Sequence, residues 1–127
     1  SDMTGYTLHN YTAPKGDFQH TFGYGGWGGT VAETKTTTEW EQIDVDFTLP
    51  EDSFIDLRYR VADDLKLMET TQWSKKIGPF PPNKFPYKLQ GVKGRFLQVE
   101  VFMQASKNKL SPIIKSLSAK GKTIVLK

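Results

Sequence analysis

Five aromatic residues sit where the chain is least able to form sheet interior. Tyr24 and Trp27 lie within Gly23-Tyr24-Gly25-Gly26-Trp27-Gly28-Gly29. Phe80, Phe85 and Tyr87 lie along a stretch that holds Pro79, Pro81, Pro82 and Pro86. Sugars present apolar C–H faces that stack on exposed rings, and nearby amides and carboxylates read their hydroxyls. If the two segments meet at one end of the fold, Tyr24, Trp27, Phe80, Phe85 and Tyr87 form a carbohydrate platform. The plainer use of the same rings is to lid the ends of a small core.

Other reactive constellations are thinner. Asp44 and Asp46 share one strand face, about 7 Å apart by strand rise, which is in range for paired glycosidase carboxylates. Any acid-x-acid on a strand gives that distance, so solubility and strand pairing is the preferred reading. His9 and His20 are the only histidines, and no Gly-x-Ser-x-Gly elbow accompanies them. Asp63-Asp64 invites calcium only weakly, because the spacing of a calcium loop is missing. The glycine run lacks the Gly-Lys-Ser/Thr ending of a phosphate loop. No catalytic residue, metal site or cofactor is expected.

These residues need a frame, and the frame reads as antiparallel sheet. Ile43, Val45, Phe47 and Leu49 alternate with Gln42, Asp44, Asp46 and Thr48, the period of a half-buried strand. After a turn at Pro50–Ser53, Ile55, Leu57, Tyr59 and Val61 alternate with Asp56, Arg58 and Arg60. On adjacent strands, Asp44 and Asp46 would pair with Arg58 and Arg60. Ala62–Thr70 is the one candidate helix, with Asp63 or Asp64 as its cap, and a loop is the equal alternative for so short a segment. Four prolines make Gly78–Pro86 an extended surface loop. Tyr87–Leu89 reads as a short strand. From Gly94, Leu97, Val99, Val101 and Met103 occupy one face and Phe96, Gln98, Glu100 and Phe102 the other, the pattern of a central strand. After Pro112, Ile113, Lys115, Leu117 and Ala119 alternate with Ile114, Ser116 and Ser118. Ile124–Leu126 forms a last edge strand or a tail.

The resulting expectation is an all-β antiparallel sandwich or jelly roll of six to eight strands. The core is expected to hold Val45, Phe47, Leu57, Tyr59, Leu97, Val99, Val101 and Leu117, with Trp40 and Trp73. Arg95 is expected to pair with an acid of the Glu39–Asp64 region. Residues 1–38 read as a less ordered arm packed on the sandwich of residues 39–127, one domain in all.

Composition agrees with a small core built from rings. A chain of 127 residues supports one domain. Eight Phe, five Tyr and three Trp each bury roughly 150–250 Å². Without cysteine there is no disulfide framework. No apolar run is long enough to span a bilayer, and no leader peptide is visible. The net charge of +3 is unevenly spread. Nine acids fall between Glu39 and Asp64, and six lysines follow Glu100. Lysine-rich strand faces explain the basic end better than nucleic acid does, since arginine is scarce and no RNA-recognition motif is present.

The span Trp40–Ala119, about two thirds of the chain, carries an ordered motif series. Trp40 leads a strand ending in Leu49-Pro50, and Ile55–Val61 runs into Ala62-Asp63-Asp64. Trp73-Ser74 follows, then Gly94-Arg95-Phe96-Leu97-Gln98-Val99, then Ser111-Pro112-Ile113-Ile114-Lys115-Ser116-Leu117. This series resembles a β-sandwich domain of bacteriophage tail and baseplate proteins and related contractile particles. The resemblance implies a galactose-binding-like jelly roll with a structural or attachment role and no enzymatic activity. It implies other structural subunits or a homo-oligomer as partners, with a cell-surface glycan as a further partner. The expected location is a particle assembled in the host cytoplasm.

Overall fold

The computed structural model describes residues 3–9, 16–23, 36–48, 54–104 and 113–126. They form eight strands: β1 (Met3–His9), β2 (Gly16–Gly23), β3 (Thr36–Thr48), β4 (Phe54–Ala62), β5 (Ile77–Phe80), β6 (Tyr87–Lys93), β7 (Phe96–Gln104) and β8 (Ile113–Val125). One short helix, α1 (Leu65–Met68), follows β4, and a 3-10 turn, Pro82–Lys84, precedes β6.

The strands pair in a nested series. β1 pairs with β8, β2 with β7, β3 with β6 and β4 with β5, all antiparallel. A long hairpin of four strands out and four back would give that series. Rolling it upon itself adds the ladders β3–β8 and β4–β7. The product is two four-stranded sheets, β1-β8-β3-β6 and β2-β7-β4-β5. This is the strand order of a jelly roll, and the all-β expectation holds. The first 38 residues supply β1, β2 and the start of β3, so each sheet takes an edge strand from them.

The two sheets face each other across one apolar layer. Val45, Phe47, Leu57, Leu97, Val99, Val101 and Leu117 are buried as their alternation requires, and so is Trp40. Tyr59 is only partly buried and packs against the cluster from its edge. β7 lies between β2 and β4, the central position that its two apolar faces suggested.

Two β-bulges break the simple period and correct the reading of β8. Trp40 opposes Gly121 while Gln42 opposes Lys120, so Glu41 is an extra residue in β3. Asp46 opposes Ser116 while Phe47 opposes Ile114, so Lys115 is an extra residue in β8. Each bulge reverses the inward face. Ile114 and Leu117, three apart, both point into the core, and Ile113 is left 48% exposed. Residues 124 and 125 are neither tail nor edge: they continue β8 opposite Thr37 and Thr36.

The proline-rich stretch is also corrected. Ile77–Phe80 is an edge strand, with Ile55 opposite Phe80 and Leu57 opposite Ile77. An edge position tolerates Pro79, whose nitrogen has no proton to donate.

Near the first bulge β8 passes close to β3. A Cβ on Gly121 would lie 2.5 Å from the Glu39 carbonyl oxygen and 3.0 Å from the Trp40 Cα. Gly121→Ala is therefore expected to cost about 1–3 kcal/mol through forced displacement of β8. A urea midpoint equal to that of the native chain would show that the two strands can separate without loss.

Candidate functional site

Of the five aromatic residues proposed as a platform, Tyr24 and Trp27 lie outside the described residues. Phe80, Phe85 and Tyr87 are brought together at one end of the sandwich. Phe80 stands 4.8 Å from Phe85 and 5.7 Å from Tyr87 between ring centroids, and Phe85 stands edge-on to Phe47 at 5.7 Å. β5 turns Phe80 inward, where it is 8% exposed. Phe85 and Tyr87 are half-buried against the same core. The cluster thus lids the core and leaves part of two rings in solvent.

The acids are spent on local structure. The Asp64 carboxylate accepts from the Lys66 amide at 2.8 Å and caps α1. Asp63 accepts from the Arg95 amide at 3.3 Å. Among the described residues the Arg95 side chain forms no ion pair, and Glu51 and Asp52 of the expected region lie outside them. Its guanidinium is buried 5.3 Å over the Phe96 ring, with Nη1 unpartnered among the described residues. Asp44 and Asp46 oppose Ser118 and Ser116 on β8. They cannot reach Arg58 and Arg60, because β3 and β4 belong to different sheets. No group of three metal-ligating side chains occurs among the described residues. His20 stands edge-on to Phe22 at 4.7 Å, and burial pushes its pKa below the usual histidine value. The imidazole of His9 is not among the described side chains.

Sequence reasoning missed the largest polar assembly, on the outer face of the second sheet. Glu100 opposes Arg58 and Gln98 opposes Arg60 across the β4–β7 ladder. The Glu100 carboxylate is almost fully buried. One oxygen accepts from Arg58 Nε and Nη2, both at 2.6 Å, and the other from Gln19 at 3.3 Å. Arg60 Nε donates to Gln98 at 2.7 Å and its Nη1 to the Thr71 carbonyl at 2.9 Å. Gln98 passes the chain on to Thr21 of β2 at 3.1 Å.

Trp73 completes this layer: it is half-buried on the outer face, which corrects its expected place in the core. Residues two apart on a strand stand about 7 Å apart, and the indole fits that gap. The Arg58 and Arg60 guanidiniums lie 4.3 and 4.1 Å from its centroid. Arg58 also faces Phe102 at 5.4 Å, and Lys76 covers Phe102 at 4.0 Å. The series Lys76, Phe102, Arg58, Trp73, Arg60 alternates cation and ring, each contact contributing about 0.5–2 kcal/mol. The signal was present in the sequence as Arg-x-Arg, Gln-x-Glu-x-Phe and a lone Trp. The strand partner was not.

Two open clefts flank β6 at Gly91. One, about 420 Å³, lies at the Glu41 bulge between β3 and β6 and is lined by Glu39, Glu41, Lys88 and Gln90 over Trp40 and Leu89. The other, about 360 Å³, lies along the half of β4 that β5 leaves uncovered. Its walls include Tyr59, Arg60, Val61, Gln72, Trp73 and Val92. The segment 71–74 is tied there by Ser74, whose amide donates to the Tyr59 carbonyl at 2.8 Å and whose hydroxyl accepts from the Tyr59 amide at 2.9 Å. Burial, and secondarily the nearby Tyr87, push the Tyr59 phenol above its usual pKa. No family model, no curated protein and no solved structure matches the chain.

Proposed function

We propose that the chain is a non-enzymatic structural or attachment domain of a phage-tail-like or baseplate-like assembly. The observation that carries the reading is the braced jelly roll, whose outermost strands pair on one side only among the described residues. β1 and β6 end one sheet and β2 and β5 the other. Edge backbone is a ready template for pairing with another chain. Ile113 and Val125, 48% and 73% exposed at the two ends of β8, add apolar contact surface. The motif series from Trp40 to Ala119 supports the same reading. A discrete oligomer, or a stable complex with a neighbouring subunit, is the expected result of light scattering on the purified protein. A monomer at all concentrations, from a gene outside any phage-like or contractile-particle cluster, would overturn the proposal.

A second reading, a carbohydrate-binding module for a cell-surface polysaccharide, is favoured by one observation. Phe85 and Tyr87 keep partly exposed rings beside Phe80. Binding of the chain on a glycan array separates this reading from a purely structural one.

A further inference from the structure

The cleft beside β4 has an unusual charge pattern. Arg60 is the only charged residue that lines it among the described residues. That guanidinium has no carboxylate within ion-pair distance among the described residues, whereas Arg58 next to it is paired with Glu100. Its Nε and Nη1 are fixed by Gln98 and Thr71, and Nη2 is left over. Burial, and then the neighbouring Arg58, lower its pKa, partly offset by Glu100 and Glu69 nearby. It is an under-compensated cation, fixed by two hydrogen bonds, in a wall that mixes the apolar Val61, Val92 and Trp73 with the polar Tyr59, Thr71, Gln72 and Ser74.

We infer that this cleft binds a carboxylate-bearing sugar residue, with Arg60 taking the carboxylate and Tyr59 and Gln72 reading neighbouring hydroxyls. The inference rests on the glycan-recognition reading above and places the ligand at the β4–β6 edge instead of the aromatic end. Three features select this chemistry. A guanidinium favours a planar oxyanion, which it binds through charge-assisted hydrogen bonds. The Tyr59 hydroxyl and the exposed Gln72 amide have no partner among the described residues, so both remain available to alcohol groups. At about 360 Å³ the space is at the small end for ligand pockets, sized for a monosaccharide unit more than for a long chain. Trp73 offers no free face for neutral-sugar stacking, because Arg58 and Arg60 already lie against its ring. Charge is therefore the main handle.

The test is calorimetric titration of the whole chain with trigalacturonate against its methyl ester, and with sialyllactose against lactose. At least one acid is expected to bind roughly tenfold tighter than its neutral counterpart, the effect of one charge-assisted pair, and to weaken as salt rises. Tyr59→Phe and Gln72→Ala should each weaken that binding with an unchanged melting temperature. Arg60→Gln should erase the difference between acid and neutral forms. If Arg60→Gln fails to fold, the other two variants still decide. Equal affinity for acid and neutral forms overturns the inference. So does binding that ignores Tyr59→Phe and Gln72→Ala but is lost in Tyr87→Ala, and that result leaves glycan recognition standing at the aromatic end. No binding of any of the four saccharides, and none across a broad glycan panel, overturns both.

Discussion

Trp40→Ala is expected to cost about 3–5 kcal/mol, the largest loss of any single truncation in this core. Three consequences of the fold meet at this indole. It is fully buried between the sheets. Its Nε1 donates to the Gly94 carbonyl at 2.9 Å, while the Gly94 amide donates to the Thr38 carbonyl at 3.0 Å. Those two bonds fasten the β6–β7 connection to β3. The ring also sits at the bulge that reverses the inward face of β3. Truncation would leave a cavity and a buried carbonyl without its donor. A domain of this size is stable by about 5–15 kcal/mol, so the variant should be close to unfolded at room temperature. Trp40→Phe keeps an aromatic ring but removes the donor and part of the buried volume, and should cost about 1–3 kcal/mol. Trp73→Ala removes a half-exposed ring from the outer face and should cost less than Trp40→Ala. Urea melts that rank the two tryptophans in the opposite order would overturn their assignment to core and surface.

The sequence was legible where one local rule governs one face. The alternation from Ile43 to Phe47 and from Leu97 to Met103 identified buried positions correctly, because the only competitor to burial there is the polar face opposite. The cap was legible to within one residue, Asp63 or Asp64, and it is Asp64. Long-range facts were not. Which strands share a sheet depends on how the hairpin rolls, and adjacency along the chain misled: β3 and β4 are consecutive yet lie in opposite sheets. The expected Asp44/Asp46 pairing with Arg58/Arg60 failed on that point alone. The bulge at Glu41 was invisible because Glu41 sits beside another polar residue, Gln42, and the bulge at Lys115 because strict alternation placed Lys115 on the face of Ile113 and Leu117. The edge strand Ile77–Phe80 was hidden by its proline, which excludes a central strand but not an edge. The proposed carbohydrate residues divide in the same way. Their grouping at one end was partly readable from the prolines. The burial of Phe80 required knowing that β5 pairs with β4.

Arg58→Ala is expected to destabilise the protein by about 3–5 kcal/mol, because it strands a buried carboxylate. The asymmetry of the pair makes the prediction sharper. The Glu100 side chain is 3% exposed and that of Arg58 is 32% exposed. When Glu100 is removed, Arg58 can turn into water and keep its contact with Trp73. When Arg58 is removed, Glu100 has only the Gln19 amide at 3.3 Å. Glu100→Ala should therefore cost less than Arg58→Ala, though the two delete the same ion pair. Replacing both residues with apolar groups of similar volume, Arg58→Met with Glu100→Leu, removes the stranded charge. The double variant should recover most of the loss. Denaturant unfolding of the native chain, Arg58→Ala, Glu100→Ala and the double alanine variant forms a double-mutant cycle, and a strong coupling between the two sites is expected. Equal costs for the two alanine variants would mean that water reaches Glu100 through the stack. Additive costs would mean that the pair contributes nothing beyond its separate contacts. In either case the series Lys76, Phe102, Arg58, Trp73 and Arg60 would be a loose surface layer. If the cycle behaves as expected, that layer is a brace across β4 and β7. It then holds Arg60 and segment 71–74 in position at the mouth of the β4 cleft.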